Sequence, residues 1–262
     1  MIRICIANQK GGVGKTTTAI NLGAGLSLQG RKVLIIDFDP QANATTGLGF
    51  GFSSPSIYEV LLGEVKVFEV IKKTKLENLY LLPSHPDLVG IEVELRQMKN
   101  WQNRLKEIID KMEGKWDYVI IDTPPSLNIF TTKAMIASEW IIVPVQCEYY
   151  ALEGLGQLLN TVKFVKKNLN PRLKIGGFLF TMYDSKTKLS HQVVEEVKKY
   201  LGDKVFKSVI PRNVRVAEAP SFGEPVLTFA PHSKGALAYK KFVEEVINEK
   251  ERTWKGTASS FA

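Results

Sequence analysis

Two lysines and three glycines share the stretch QKGGVGKTTT, residues 9–18. Glycines let a loop turn its backbone N–H groups inward onto anionic oxygens, and a helix N-terminus behind the loop favours the same negative charge. Gly11, Gly12 and Gly14 stand between a strand-like run, IRICIAN, and a run with helical spacing, KTTTAINLGAGL. Strand, glycine loop and helix in that order is the context of a phosphate-binding loop. In such a loop Lys15 reaches the β- and γ-phosphates of a nucleotide, the Thr16 hydroxyl sits on Mg2+, and Thr17 donates to the α-phosphate. Lys10, Gly11, Gly12, Val13, Gly14, Lys15, Thr16 and Thr17 are the nucleotide-binding candidates at this end of the chain. One lysine is enough to grip a phosphate, so Lys10 needs a role of its own.

Three carboxylates follow the loop. Asp37 and Asp39 end the apolar run VLIIDFDP, and Asp122 ends YVIID. The C-terminal ends of strands form the ligand edge of an open α/β sheet. Asp39, before Pro40, is suited to orient an attacking water; Asp37 is suited to support Mg2+ or the loop. Asp122 has the pattern of a residue that holds Mg2+ directly or through water, which makes Thr16, Asp39 and Asp122 the metal candidates. The TPPS that follows Asp122 would be a switch segment sensing the γ-phosphate. A single strand-end Asp is usually a cap or turn residue, but three in this order behind a phosphate loop make a site. Lys15 and Asp39 are catalytic candidates, and Lys10 joins them on the resemblance given below. Cys5 and Cys147 belong to no metal-binding or redox pattern and read as small buried apolar residues.

The scaffold follows from hydrophobic periodicity. Strands are expected at IRICIAN, KVLIIDFDP, NLYLLPS, WDYVIIDTPP, EWIIVPVQ and LKIGGFLFTMYD. Helices are expected at KTTTAINLGAGLSLQG, SIYEVLLG, VFEVIKKT, WQNRLKEIIDKMEGK, IFTTKAMIAS, ALEGLGQLLNTVKFVKKNL, SHQVVEEVKKYLG and HSKGALAYKKFVEEVINEKER. The alternation predicts an α/β P-loop NTPase fold, a mostly parallel twisted sheet with helices on both faces. Residues 1–252 are expected to form one ATPase domain, and 253–262 a flexible C-terminal tail.

Charge is unevenly spread over the 262 residues. Residues 1–150 hold 16 Lys and Arg against 16 Asp and Glu; residues 151–262 hold 19 against 11, the whole net excess of +8. A basic C-terminal part points to a polyanion, either nucleic acid or anionic lipid, with a merely solubilising surface as the alternative. The longest apolar runs are too short to span a bilayer and the N-terminus reads as a strand, so the cytoplasm is the expected location.

Gln9 stands where the usual GxxxxGK[ST] pattern has its first glycine, and KGGVGKTT fits the deviant Walker A pattern KGGxGKT[ST]. Together with VLIIDFDPQANATTGLG, YVIIDTPPSL, VPVQCEYYALEGL and VIPRNVRVAEAPSFGEPV, it resembles the ParA/Soj partition ATPases over nearly the whole chain. The resemblance implies an ATP-dependent sandwich homodimer that binds double-stranded DNA non-specifically on the nucleoid. It also implies slow hydrolysis stimulated by a ParB/Spo0J-like centromere-binding partner. In that group Lys10 resembles a lysine that crosses to the partner's nucleotide; action within its own subunit is the alternative. Pro211, Arg212 and Asn213 would lie along the adenine, with Met182 near the base. Arg215 and Lys186 match DNA-contacting basic positions, Lys186 standing where relatives often carry arginine. Lys198, Lys199, Lys204, Lys207, Lys234, Lys240 and Lys241 are further contact candidates. The alternative is a MinD-like membrane-cycling ATPase, but in FVEEVINEKERTWKG acids dominate, so no membrane is expected. A redox relative of the iron-protein type would need cysteines near the dimer axis that the chain lacks, and a kinase or amidoligase would need a small-molecule acceptor.

Overall fold

The computed structural model describes residues 1–148 and 151–250, without the side chains of residues 151–153, 189, 249 and 250. The expected tail at 253–262 and Trp254 lie outside the described residues. The strands are β1 (Ile2–Ile6), β2 (Val33–Asp37), β3 (Lys72–Lys73), β4 (Leu79–Leu82), β5 (Tyr118–Asp122), β6 (Trp140–Gln146), β7 (Lys174–Tyr183) and β8 (Val205–Pro211). They form one eight-stranded sheet in the order β3-β4-β2-β5-β1-β6-β7-β8. Every pairing is parallel except the short β3–β4 edge. β1, β2 and β5 are buried along their full length, as central parallel strands covered on both faces must be.

Alternate residues divide between two cores. Cys5, Leu34, Ile36, Val119 and Ile121 point to one, with the helices Arg104–Asp110, Ile129–Ile136, Ala151–Asn168 and Lys188–Leu201 over it. Ile4, Ile6, Ile35 and Ile120 point to the other, beneath the helices Lys15–Leu28 and Lys234–Glu245. Those two helices touch: a Cβ on Gly25 would meet Val243 Cγ2 at 2.3 Å, so this contact admits glycine alone. Phe242, Val243 and Val246, within FVEEVINEKERTWKG, are buried in this core. No helix among the described residues is long and apolar enough to cross a membrane.

The α/β sheet matches the expected class, and the differences are local. Helix in VFEVIKKT is limited to Val67–Val70, and Lys72 and Lys73 turn out to the sheet edge as β3. WQNRLKEIIDKMEGK forms a 3-10 turn, Trp101–Asn103, and then a helix only from Arg104 to Asp110, although Leu105, Ile108, Ile109 and Met112 are buried as expected. β8 was not expected, because Lys207 and Ser208 break its apolar run. As an edge strand it tolerates that break, and its Lys207 and Ser208 N–H groups donate to the Glu245 carboxylate at 2.8 and 2.9 Å.

Candidate functional site

The loop between β1 and the helix Lys15–Leu28 is held from several sides. Asn8 Nδ2 donates to the Pro144 carbonyl at 2.7 Å, while Asn8 Oδ1 accepts from the Lys10 N–H at 3.1 Å. From the end of β7, Thr181 Oγ1 donates to the Val13 carbonyl at 2.9 Å. Gly14 takes φ 84° at the helix N-cap, a left-handed conformation natural to glycine, and offers no side chain to the first-turn N–H groups. That leaves an uncapped helix start beside a glycine loop, a form suited to an anion. Lys15 is only 6% exposed, and its Nζ donates to the Lys10 carbonyl at 2.9 Å. Burial lowers its pKa, and the nearby charges of Asp122 and Asp39 act in the opposite direction.

The sheet register brings the carboxylates together. Asp37 and Asp122 are paired across β2 and β5, so two acids sit side by side at the sheet's carboxyl edge. Asp37 is bound to its own protein: Oδ2 accepts from Thr45 N and Thr45 Oγ1, both at 2.7 Å. Burial pushes its pKa up to about 6 against the effect of these hydrogen bonds. Asp37 thus anchors the short helix Asn43–Gly47.

Asp122 is different. It is fully buried, and neither carboxylate oxygen takes a protein hydrogen bond. Burial, followed by the charge of Asp37, raises its pKa well above the carboxylate range, although the Thr16 hydroxyl favours the ionised form. A buried acid with two orphaned oxygens next to a threonine hydroxyl is a fitting partner for a cation or its bound water. Asp39 is 3% exposed; Oδ1 accepts from the Gln41 N–H at 2.9 Å. Its pKa is raised by burial, with Gln41 and Lys15 acting against the rise. No cluster of three or more His, Cys, Asp or Glu side chains forms a ready metal cage among the described residues. Mg2+ does not need one, since it keeps several waters and relies on substrate phosphate oxygens.

Over these groups opens a cavity of about 600 Å³. Gly12, Gly14, Lys15, Thr16, Thr17 and Asp39 are among its lining residues, and so are Met182, Pro211, Arg212 and Asn213. Met182 has φ 49°, a left-handed conformation rare for a residue with a side chain, and such strain gathers at functional sites. Gly11, Val13, Lys10 and Asp122 are not part of the lining. Val13 is buried, a Cβ added at Gly11 would lie 3.6 Å from Pro125 Cβ, and Asp122 is sealed off from solvent. Lys10 turns to Glu148, with its Nζ 2.8 Å from a carboxylate oxygen. Pro125, Thr181 and Tyr239 are also among the lining residues. Pro125 lies in the expected switch segment, whereas Thr181 and Tyr239 arrive from distant segments without a local motif.

Lys186 is exposed in a turn closed by its N–H on Asp184 Oδ1 at 2.9 Å. Arg215 is 60% exposed and pairs with Glu218 at 2.9 Å on its own short helix. Lys198, Lys199, Lys204, Lys207, Lys234, Lys240 and Lys241 are all exposed.

Residues 1–175 match the model of an AAA domain family. The chain is 51% identical over 245 residues to the sporulation initiation inhibitor protein Soj of Bacillus subtilis, covering 93% of this chain and 97% of Soj. It is 50% identical over 257 residues to the chromosome partitioning protein ParA of Caulobacter vibrioides, covering 96% of each. A solved structure of cobyrinic acid a,c-diamide synthase from Mycobacterium smegmatis, with bound ADP and magnesium, is similar with a TM-score of 0.84. That match has 38% identity and covers 97% of this chain and 96% of the synthase.

Proposed function

We infer the function from one premise: this chain belongs to the Soj and ParA family of chromosome-partitioning ATPases. ATP binds with its phosphates on the glycine loop of residues 10–17 and its base towards Met182, Pro211, Arg212 and Asn213. Mg2+, when bound, neutralises charge on the β- and γ-phosphate oxygens. Thr16 and Asp122, with Asp39 through water, are the residues that would hold it. The fit is supported by the two orphaned oxygens of Asp122.

Hydrolysis needs little covalent chemistry from the protein. Asp39 orients a water whose oxygen forms a bond to the γ-phosphorus. The bond from that phosphorus to the bridging oxygen breaks, leaving ADP and phosphate, and the water proton passes to the phosphate. Lys15 offsets charge on the β- and γ-oxygens. Lys10 crosses to the nucleotide of a second copy, so that ATP holds two chains face to face. The observation that carries this role is the direction of Lys10, which leaves its own cavity for exposed Glu148 while Lys15 fills the loop.

The dimer binds double-stranded DNA without sequence preference, through the basic C-terminal part of each chain, on the nucleoid in the cytoplasm. Doubling a weak surface makes retention depend on ATP. A ParB/Spo0J-like protein bound at the centromere speeds hydrolysis and releases the dimer. The charge excess in residues 151–262 and the exposed lysines support this reading. Its test is a salt titration of DNA binding without nucleotide, with ADP and with ATP. ATP alone should confer retention that weakens steeply with salt. Equal retention in all three states would contradict the reading.

A further inference from the structure

Asp39 is held from behind by Asp37, Thr45 and Ser84, the last of them distant in the chain. Its N–H donates to Asp37 Oδ1 at 3.3 Å. Asp37 Oδ2 accepts both Thr45 N and Thr45 Oγ1 at 2.7 Å. Thr45 Oγ1 in turn accepts the Ser84 N–H at 3.0 Å, and Ser84 Oγ donates to the Asp39 carbonyl at 2.7 Å. The ring is closed: the main-chain donor and acceptor of Asp39 are both tied into it. Asp37, Thr45 and Ser84 are fully buried and Asp39 is 3% exposed, so water does not compete for these bonds. The topology explains the meeting. β4 pairs with β2 in a register that sets Leu82 opposite Ile36, and the chain beyond both strand ends then brings Ser84 against residue 39.

We propose that Ser84 is a positioning residue for ATP hydrolysis, acting through this ring to hold the backbone of Asp39, and with it the carboxylate, at the cavity wall. The inference rests on the role given above to Asp39. Ser84 does not line the cavity and has no contact with the nucleotide site of its own. Its effect therefore falls on the geometry of attack and leaves nucleotide affinity alone. The ring also passes through Thr45 to the helix Asn43–Gly47, whose Asn43 and Thr46 line the same cavity. One serine thus fixes two stretches of the wall.

The test compares Ser84→Ala, Ser84→Cys, Ser84→Thr and Lys15→Ala with the unaltered full-length chain, reading kcat, KM for Mg·ATP, ATP affinity and melting temperature. The Asp39 carbonyl keeps the Ala42 N–H at 2.8 Å when the serine hydroxyl is removed, so the turn retains one anchor. Misplacement by a fraction of an ångström then lowers kcat for Ser84→Ala about tenfold. KM and ATP affinity stay within about twofold, the pattern of a lost transition-state geometry. Ser84→Thr, which keeps the hydroxyl, recovers most of kcat. Should Ser84→Ala not fold, Ser84→Cys, with a weaker and longer donor, reads the same split between kcat and KM. A folded variant without the hydroxyl that turns over at the normal rate, or that loses affinity and keeps kcat, overturns the inference. If the unaltered chain hydrolyses no more ATP than Lys15→Ala, the ATPase reading itself fails.

Discussion

Lys10 Nζ lies 2.8 Å from the carboxylate of Glu148, while the Lys10 carbonyl accepts Lys15 Nζ at 2.9 Å. The two lysines of one loop are thus separated, one inward over the phosphate site and one outward on the surface. The outward pair is 40% and 49% exposed, and such pairs contribute about 0.2–1 kcal/mol. In the proposed dimer, a phosphate offered by a second chain would break it easily. Glu148→Gln, which removes one such pair from each chain, should therefore favour the ATP-bound dimer by no more than about 30-fold. Lys10→Ala should keep ATP affinity but lose the dimer and reduce stimulated turnover by about 10³-fold or more. Equilibrium sedimentation and a phosphate-release assay check both.

Lys15→Ala removes the cation that the loop buries. ATP binding should fall below detection in calorimetry, with little change in melting temperature. The burial that lowers the Lys15 pKa means the fold carries this charge at some expense.

Asp122 presents two oxygens with no protein partner in a fully buried position, a costly arrangement for a chain without a cation. Asp122→Asn should raise the melting temperature of the nucleotide-free chain by about 2–4 °C, the equivalent of about 1 kcal/mol. The same change should weaken the dependence of ATP binding on Mg2+. Scanning calorimetry with and without Mg2+ measures both effects.

Lys133 carries a pH signature away from the site. It sits 4.4 Å over the Trp101 ring, donates to the Trp101 carbonyl, and burial pulls its pKa down to about 8 from 10.5. A lowered folded-state pKa means the unfolded chain binds the proton more tightly. The contribution of neutral Lys133 to stability is then full above 10.5 and lost as pH falls through about 8. Lys133→Met should flatten the rise in stability across that window in urea titrations, and should raise stability at neutral pH.

Arg215 tests the proposed DNA surface. Each phosphate contact contributes about 0.9 to the slope of log affinity against log salt. Arg215→Gln in a two-fold dimer should therefore flatten that slope by about 2. ATP-dependent dimerisation should be unaffected.

What could be read from the chain was what is local. The glycine loop, Asp39 and Asp122 each sit on a short motif between a strand and a helix, and the sheet brings them together because all three strand ends share one edge. Thr181 meets Val13 across 168 residues and Tyr239 meets Thr18 across 221, and no spacing rule links such pairs. Ser84 was passed over for the same reason: a serine after LLP is unremarkable until β4 pairs with β2. β8 went unseen because Lys207 and Ser208 interrupt it, and its partner, the Glu245 carboxylate, belongs to the last helix.

The account depends on ATP joining two chains through Lys10. Light scattering of Asp39→Ala with saturating Mg·ATP, where turnover is blocked, tests this most directly. The account predicts twice the chain's mass with ATP and a single chain with ADP, and the doubling should vanish in Lys10→Ala, Asp39→Ala. A single chain under saturating Mg·ATP would contradict it.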